Sequence, residues 1–139
     1  MDRFLQMISP PPRRSDYNNI EFWVDPERVG WLSKQGEYLK FWRRRWFVLK
    51  QGKMVWFMNP SDVTSTAVPR GVFHVDRCQV VTSAVDDIHK DYSLKMYIDG
   101  FPTYLVAESE KEKDEWVSSI GRVIVQYSGA GIPEVDHYR

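Results

Sequence analysis

The sequence predicts a mainly β fold: a seven-stranded, partly open barrel of two curved antiparallel sheets, capped by one C-terminal α-helix. Three observations predict it. Short β-rich runs follow one another between positions 29 and 107, each bounded by turn-forming residues. Two of these runs flank Gln51-Gly52-Lys53, a glycine-containing connection of hairpin length. After Ser109 the apolar period changes from that of a strand to that of a helix.

The elements are read in order. Val29 to Lys34 is the first strand, followed by the turn-like Gln35-Gly36-Glu37-Tyr38. Trp42 to Lys50 and Met54 to Met58 form the hairpin arms. Asn59 to Arg70 holds two prolines and small polar residues and reads as a loop. Val72 to Val75 and Gln79 to Thr82 are short strands, and Asp86 to Asp91 is a charged loop. Tyr92 to Ile98 sets Tyr92, Leu94, Met96 and Ile98 against Ser93, Lys95 and Tyr97, a period of two. Asp99-Gly100-Phe101-Pro102 is a turn, and Thr103 to Ala107 is the seventh strand. Ser109-Glu110-Lys111-Glu112 is a capping box. Trp116, Ile120, Val123 and Ile124 then make one apolar stripe of a helix that ends near Tyr127. A barrel of this kind has open ends, and a helix with one apolar face closes one of them.

A chain of 139 residues suits one domain with a hydrophobic core. Residues 29–127 form the domain, residues 1–28 an extension, and 128–139 a loose tail. Pro10-Pro11-Pro12-Arg13-Arg14 breaks regular structure, but Ile20-Glu21-Phe22-Trp23 is apolar enough to pack on the domain's outside or on a partner. The lone cysteine, Cys78, has no internal disulfide partner and reads as a small buried thiol. No run reaches the ~20 apolar residues of a membrane span. Neither a signal peptide nor a lipidation signal is expected, so the expected location is cytoplasmic.

Charge sums to zero, with 19 basic and 19 acidic residues, but it is not evenly spread. From Lys34 to Lys53 stand Lys34, Lys40, Arg43, Arg44, Arg45, Lys50 and Lys53 against Glu37 alone, a local +6. Glu108 to Glu115 carries −3. A polarised molecule orients itself over an anionic surface even when its net charge is zero, and each cation near an acidic leaflet adds about 1 kcal/mol.

Strand alternation sharpens the pattern. Arg43, Arg45, Phe47 and Leu49 share one face of the second strand, and Trp42, Arg44, Trp46 and Val48 the other. Leu32 and Lys34 share a face of the first. With Leu32, Phe47 and Leu49 in the core, Lys34, Arg43 and Arg45 continue that face at the barrel mouth. A phosphate cluster would relieve their mutual repulsion, and arginine forks suit phosphate oxygens. Spacing alone leaves equally open a solvated basic strand end paired with acids. Arg44, Lys40 and Lys53 add general attraction to acidic lipid. Tyr38, Leu39 and Phe41 place apolar surface between the cations, fit to dip into a bilayer interface or to fold back on the barrel. Arg70 and His74 read as structural, and His89 and Lys90 as solvated.

Gly30-Trp31-Leu32-Ser33-Lys34-Gln35-Gly36, then Trp42-Arg43-Arg44-Arg45-Trp46-Phe47-Val48-Leu49-Lys50, resembles the opening hairpin of pleckstrin homology (PH) domains. Trp116 is similarly placed to the tryptophan of that family's closing helix. The likeness covers about residues 29 to 127, and Ile20 to Trp23 with Pro26-Glu27-Arg28 resembles small plant proteins that contain little more than one such domain. The resemblance implies the helix-capped seven-stranded barrel. It also implies a phosphoinositide as ligand, held by a first-strand lysine and a basic-x-Arg pair, here Lys34, Arg43 and Arg45. Gly36-Glu37-Tyr38-Leu39-Lys40 is most similar to members that read 3-phosphorylated lipids. The third strand, however, lacks the tyrosine that tightly selective members supply. The resemblance further implies recruitment to endosomal or plasma membrane in signalling or trafficking.

Other function classes are weaker. His74, His89 and His137 have no metal-ligand spacing, and no phosphate loop or nucleophile elbow appears, so no catalytic group, metal or cofactor is expected. Trp42 to Trp46 interleaves aromatics and cations as single-strand nucleic-acid grooves do, but the basic area is short. The alternative is a protein-interaction module that takes a peptide along a sheet edge beside the helix, with only charge-driven lipid contact. A monomer is expected.

Overall fold

The structure, a computed structural model of the chain, describes residues 12–36 and 41–128. Among the described residues there are seven strands: β1 (Arg28–Gln35), β2 (Trp42–Lys50), β3 (Lys53–Phe57), β4 (Gly71–His74), β5 (Cys78–Ser83), β6 (Ser93–Ile98) and β7 (Phe101–Val106). A single-turn helix, α1 (Val85–Ile88), precedes β6, and α2 (Glu110–Ser128) closes the domain. The expected charged loop thus begins with a helical turn, ended by His89 in the left-handed region at φ 56°.

The strands hydrogen-bond in the order β4-β3-β2-β1-β7-β6-β5. All pairs are antiparallel, and β4 and β5 are edges, so the barrel is partly open. The two expected curved sheets are halves of one continuous sheet. β1 joins them: it pairs with β2 from Arg28↔Leu49 to Gln35↔Trp42, and with β7 only at Ser33↔Val106 and Lys34↔Leu105.

The inner face carries the main core. Leu32, Phe47, Leu49, Met54, Leu94, Met96 and Leu105 are fully buried there. α2 lays Trp116, Ile120 and Val123 onto the same core. Its start is fixed by the Ser109 hydroxyl, which accepts the Glu112 amide at 3.1 Å, a side-chain cap for an otherwise unpaired donor. Gly30 lets the Trp116 indole lie close to β1, since a Cβ there would meet Nε1 at 3.3 Å.

The outer face of β2 and β3 has its own cover. Val48, Val55 and Phe57 pack with Phe22, which is 4% exposed, and with the half-buried Tyr17 and Ile20. Polar ties hold this strap. Asp16 pairs with His74 at 3.3 Å, and the Lys50 ammonium donates to the Glu21 and Val24 carbonyls. Of the apolar run ahead of the first strand, Ile20 and Phe22 therefore pack on the domain itself, while Trp23 stays 40% exposed.

Candidate functional site

The β1–β2 ladder sets the geometry of the basic cluster. Lys34 lies directly opposite Arg43, and Leu32 opposite Arg45. Because Leu32, Phe47 and Leu49 are 0% exposed, alternation turns Lys34, Arg43 and Arg45 toward the same inner face, beyond the point where the core ends. Lys34 and Arg45 are half-buried and Arg43 is exposed.

Trp56 of β3 is the floor. Its indole centroid lies 5.3 Å from that of Phe47 and 4.6 Å from that of Phe73, and the Lys34 ammonium stands 5.1 Å above it. Lys34 Nζ also donates to the Gln35 carbonyl at 3.3 Å. An ammonium over an indole face is attracted by the ring quadrupole, which orients Lys34 along the mouth.

Arg45 donates from Nη1 to the Arg44 carbonyl at 2.9 Å. Burial, and then the nearby guanidiniums of Arg70 and Arg43, pull its pKa below the ordinary arginine value. Both effects disfavour the charged form. Among the described residues, no ion pair joins Arg43, Arg45 or Arg70 to a carboxylate. The site is thus a cationic face whose repulsion an anion would relieve.

The sequence assigns Arg70 a structural role, yet it stands close enough to Arg45 to lower its pKa. Its amide donates to the Trp56 carbonyl at 2.8 Å, which fixes it just ahead of β4. The pairing of β3 with β4 carries the signal: a residue preceding β4 must emerge where β3 ends, beside the start of β2. His74, at the opposite end of β4, turns instead to Asp16.

The other basic residues go elsewhere. Arg44 projects from the outer face, chelates Glu108 at 2.6 and 3.0 Å and stacks 3.8 Å from the Trp31 ring. The hydrogen bond to Glu108 raises the Arg44 pKa, and the same bond lowers that of Glu108. Lys53 lies beside Lys50 at the far end of the hairpin and binds Asp76 at 2.7 Å. Neither joins Lys34, Arg43 and Arg45. Lys90 stands 5.3 Å over Trp42, again on the outer face. Phe41 is 62% exposed. Tyr38, Leu39 and Lys40 lie outside the described residues.

Among the described residues no group of three His, Cys, Asp or Glu side chains could hold a metal ion, and no helix is long and apolar enough to cross a membrane. Cys78 is buried, and burial raises its pKa.

Comparisons agree with this architecture. Pleckstrin homology domain-containing protein 1 of Arabidopsis thaliana is 45% identical over 133 residues, 92% of each chain. Human cytohesin-4 is 30% identical over 118 residues, which cover 69% of this chain and 28% of cytohesin-4. Among solved structures, the C-terminal PH domain of human pleckstrin matches with a TM-score of 0.62 and 25% identity, over 78% of this chain and 96% of that one. The same pleckstrin domain solved in complex with D-myo-Ins(1,2,3,4,5)P5 matches with a TM-score of 0.55 and 26% identity, over 69% of this chain and 95% of that one. The profile of the PH domain family matches residues 26–125, and the chain belongs to that family.

Proposed function

We propose that this chain is a membrane-targeting module that grips a phosphoinositide head group with Lys34, Arg43 and Arg45, assisted by Arg70. The observation that carries the reading is the convergence of cations on one face, where Arg43, Arg45 and Arg70 have no ion-paired acid among the described residues. Such an arrangement costs folding energy unless an anion completes it. The solved pleckstrin domain bound to an inositol pentakisphosphate supports an inositol phosphate as that anion. Phe41, exposed at the entrance to β2, supports contact with the bilayer itself.

Finer expectations belong to the same proposal. The ligand is 3-phosphorylated, residues 29–127 are the binding domain, and the chain acts as a monomer recruited from the cytoplasm to endosomal or plasma membrane. It binds rather than catalyses. A second reading rests on the free edge of β5, which lies beside α2 and could accept an extended peptide.

Vesicle co-sedimentation of wild type and Arg45→Glu, across singly and multiply phosphorylated phosphoinositides at matched surface charge, tests the proposal. Selective binding that Arg45→Glu loses supports the pocket and names the lipid. Binding that tracks total charge alone, unchanged in Arg45→Glu, sinks the pocket and favours the peptide edge.

A further inference from the structure

The strap ahead of β1 begins with a motif that the cationic site does not use, Pro10-Pro11-Pro12-Arg13-Arg14. Arg13 has φ −76° and ψ 149°, close to the polyproline II values of about −75° and +145°. Arg13 and Arg14 are exposed, and among the described residues neither belongs to an ion pair. Just behind them the chain is pinned. The Asp16 carboxylate accepts the Arg13 amide at 3.0 Å and pairs with His74 at 3.3 Å. The Tyr17 amide donates to the Arg14 carbonyl at 3.2 Å, and Tyr17, Ile20 and Phe22 pack in the outer-face cluster. The two arginines thus project from a fixed point of the fold.

That point is remote from the cationic face. His74 stands opposite Lys53, and Lys53 opposite Lys50, at the end of β2 away from Arg43. The strand rise puts Lys50 about 20 Å from Arg43.

We infer that Pro10-Pro11-Pro12-Arg13-Arg14 is the ligand of a proline-reading domain of the SH3 type, displayed at the end of this domain that faces away from its cations. The chemistry of the segment selects this partner. Proline fixes φ near about −65°, so a polyproline ligand is largely ordered before it binds and loses little entropy on binding. Its rings fit aromatic-lined grooves, and its solvated carbonyls are free to accept hydrogen bonds from the groove walls. Arginines without a paired acid beside such a run call for carboxylates at the end of the groove, where a guanidinium fork pairs bidentately. An acidic bilayer would satisfy the arginines but make no use of the prolines. A partner seated here leaves Lys34, Arg43 and Arg45 uncovered, so it can be held while those residues are engaged.

The test uses the full chain. Wild type, Arg13→Glu combined with Arg14→Glu, and Pro11→Ala combined with Pro12→Ala are each titrated by calorimetry with a panel of purified SH3 domains whose grooves end in acidic residues. Each is also titrated with a soluble inositol phosphate and with phosphatidylcholine vesicles containing phosphatidylserine. The substituted positions precede the packed part of the strap, so thermal melts are expected to be unchanged. At least one SH3 domain is expected to bind wild type saturably. The double charge reversal should weaken that binding by about tenfold or more, and the double alanine variant by about three- to tenfold. Affinity for the inositol phosphate should stay at the wild-type value in both. Wild type bound by no member of the panel overturns the inference, and so does SH3 binding that the charge reversal leaves unchanged. Loss of vesicle binding in the charge reversal, with no SH3 binding by wild type, assigns the arginines to lipid and overturns it as well. If wild type takes no inositol phosphate yet binds an SH3 domain through these residues, the head-group reading fails and this inference stands.

Discussion

The indole of Trp56 occupies the space that a side chain on Gly71 would need. The two residues face each other across the β3–β4 ladder, and a Cβ on Gly71 would lie 2.0 Å from Trp56 Cζ2 and 2.5 Å from Cε2 and Cη2. The missing side chain lets the ring lie against Phe47 and Phe73 and present a face to Lys34. A backbone choice at one position thus shapes the floor of the cationic site at another.

Gly71→Ala should therefore act on stability and binding together. The contact is with a ring wedged among other rings, not with the far end of a flexible chain, so something must shift. Overpacking of this kind costs about 1–3 kcal/mol. Lys34 also loses its platform. Urea denaturation should show a lower midpoint, and titration with an inositol phosphate a weaker affinity. Gly30→Ala, whose Cβ would meet Trp116 Nε1 at 3.3 Å, should cost less. Equal effects of the two substitutions would contradict the role given to Trp56.

Phe22 is tied to the same hairpin from the other side. It is 4% exposed against Val48, Val55 and Phe57, although it precedes the first strand. Phe22→Ala should destabilise the fold by about 3 kcal/mol, near the low end for Phe→Ala because the strap can settle into part of the gap. Head-group affinity of the folded protein should be unchanged, since the basic site is on the opposite face of the hairpin. Denaturation curves and calorimetry on one sample check both halves. A Phe22→Ala protein as stable as wild type would mean the strap is not part of the folding unit.

Much of this arrangement is legible in the sequence because it is local. The bounds of β2, Trp42 to Lys50, come from alternation, and the start of α2 from Ser109 and a change of period. The inward placement of Leu32, Phe47 and Leu49 obeys the same rule, and it carries Lys34, Arg43 and Arg45 to one face. The features that escape are either too short or too distant. α1 is one turn, too brief for a helical period to show. Phe101 and Pro102 open β7 although Asp99-Gly100-Phe101-Pro102 has turn composition, because pairing with Ile98 and Tyr97 overrides it. The Arg44–Glu108 chelate and the approach of Arg70 to Arg45 depend on register between remote segments, which no spacing along the chain records.

His74 gives the fold a pH dependence of definite sign. Burial, then the charges of Arg77 and Lys53, push its pKa below 6.5, and the attraction of Asp16 and Asp76 does not offset them. The unfolded chain then binds the proton more tightly than the folded one. Stability is fully present above the unfolded value, near 6.5, and falls as the pH drops from there toward the lower value of the fold. His74→Gln should flatten this slope in urea midpoints measured from neutral to mildly acid pH. A wild type that gains stability on acidification in this window would show that the Asp16 pair dominates instead.

Arg44 and Arg45 are adjacent in sequence and opposed in fate, which makes them the sharpest test of the face assignment. Arg45 belongs to the inner, cationic face, and Arg44 is held outside by Glu108 and Trp31. Arg45→Glu places a carboxylate in the anion site and should weaken inositol phosphate binding by well over about tenfold, given the worth of a charge-assisted hydrogen bond. Arg44→Glu instead sets two carboxylates against each other. It should raise the Glu108 pKa, lower the Tm and leave head-group binding of the folded protein near wild type. The swap Arg44→Glu with Glu108→Arg restores opposite charges and should recover much of the Tm, a coupling that additive effects cannot produce. Thermal melts and calorimetry on the four proteins decide the matter. If Arg44→Glu loses head-group binding as fully as Arg45→Glu while still folded, the cationic site does not lie on the inner face.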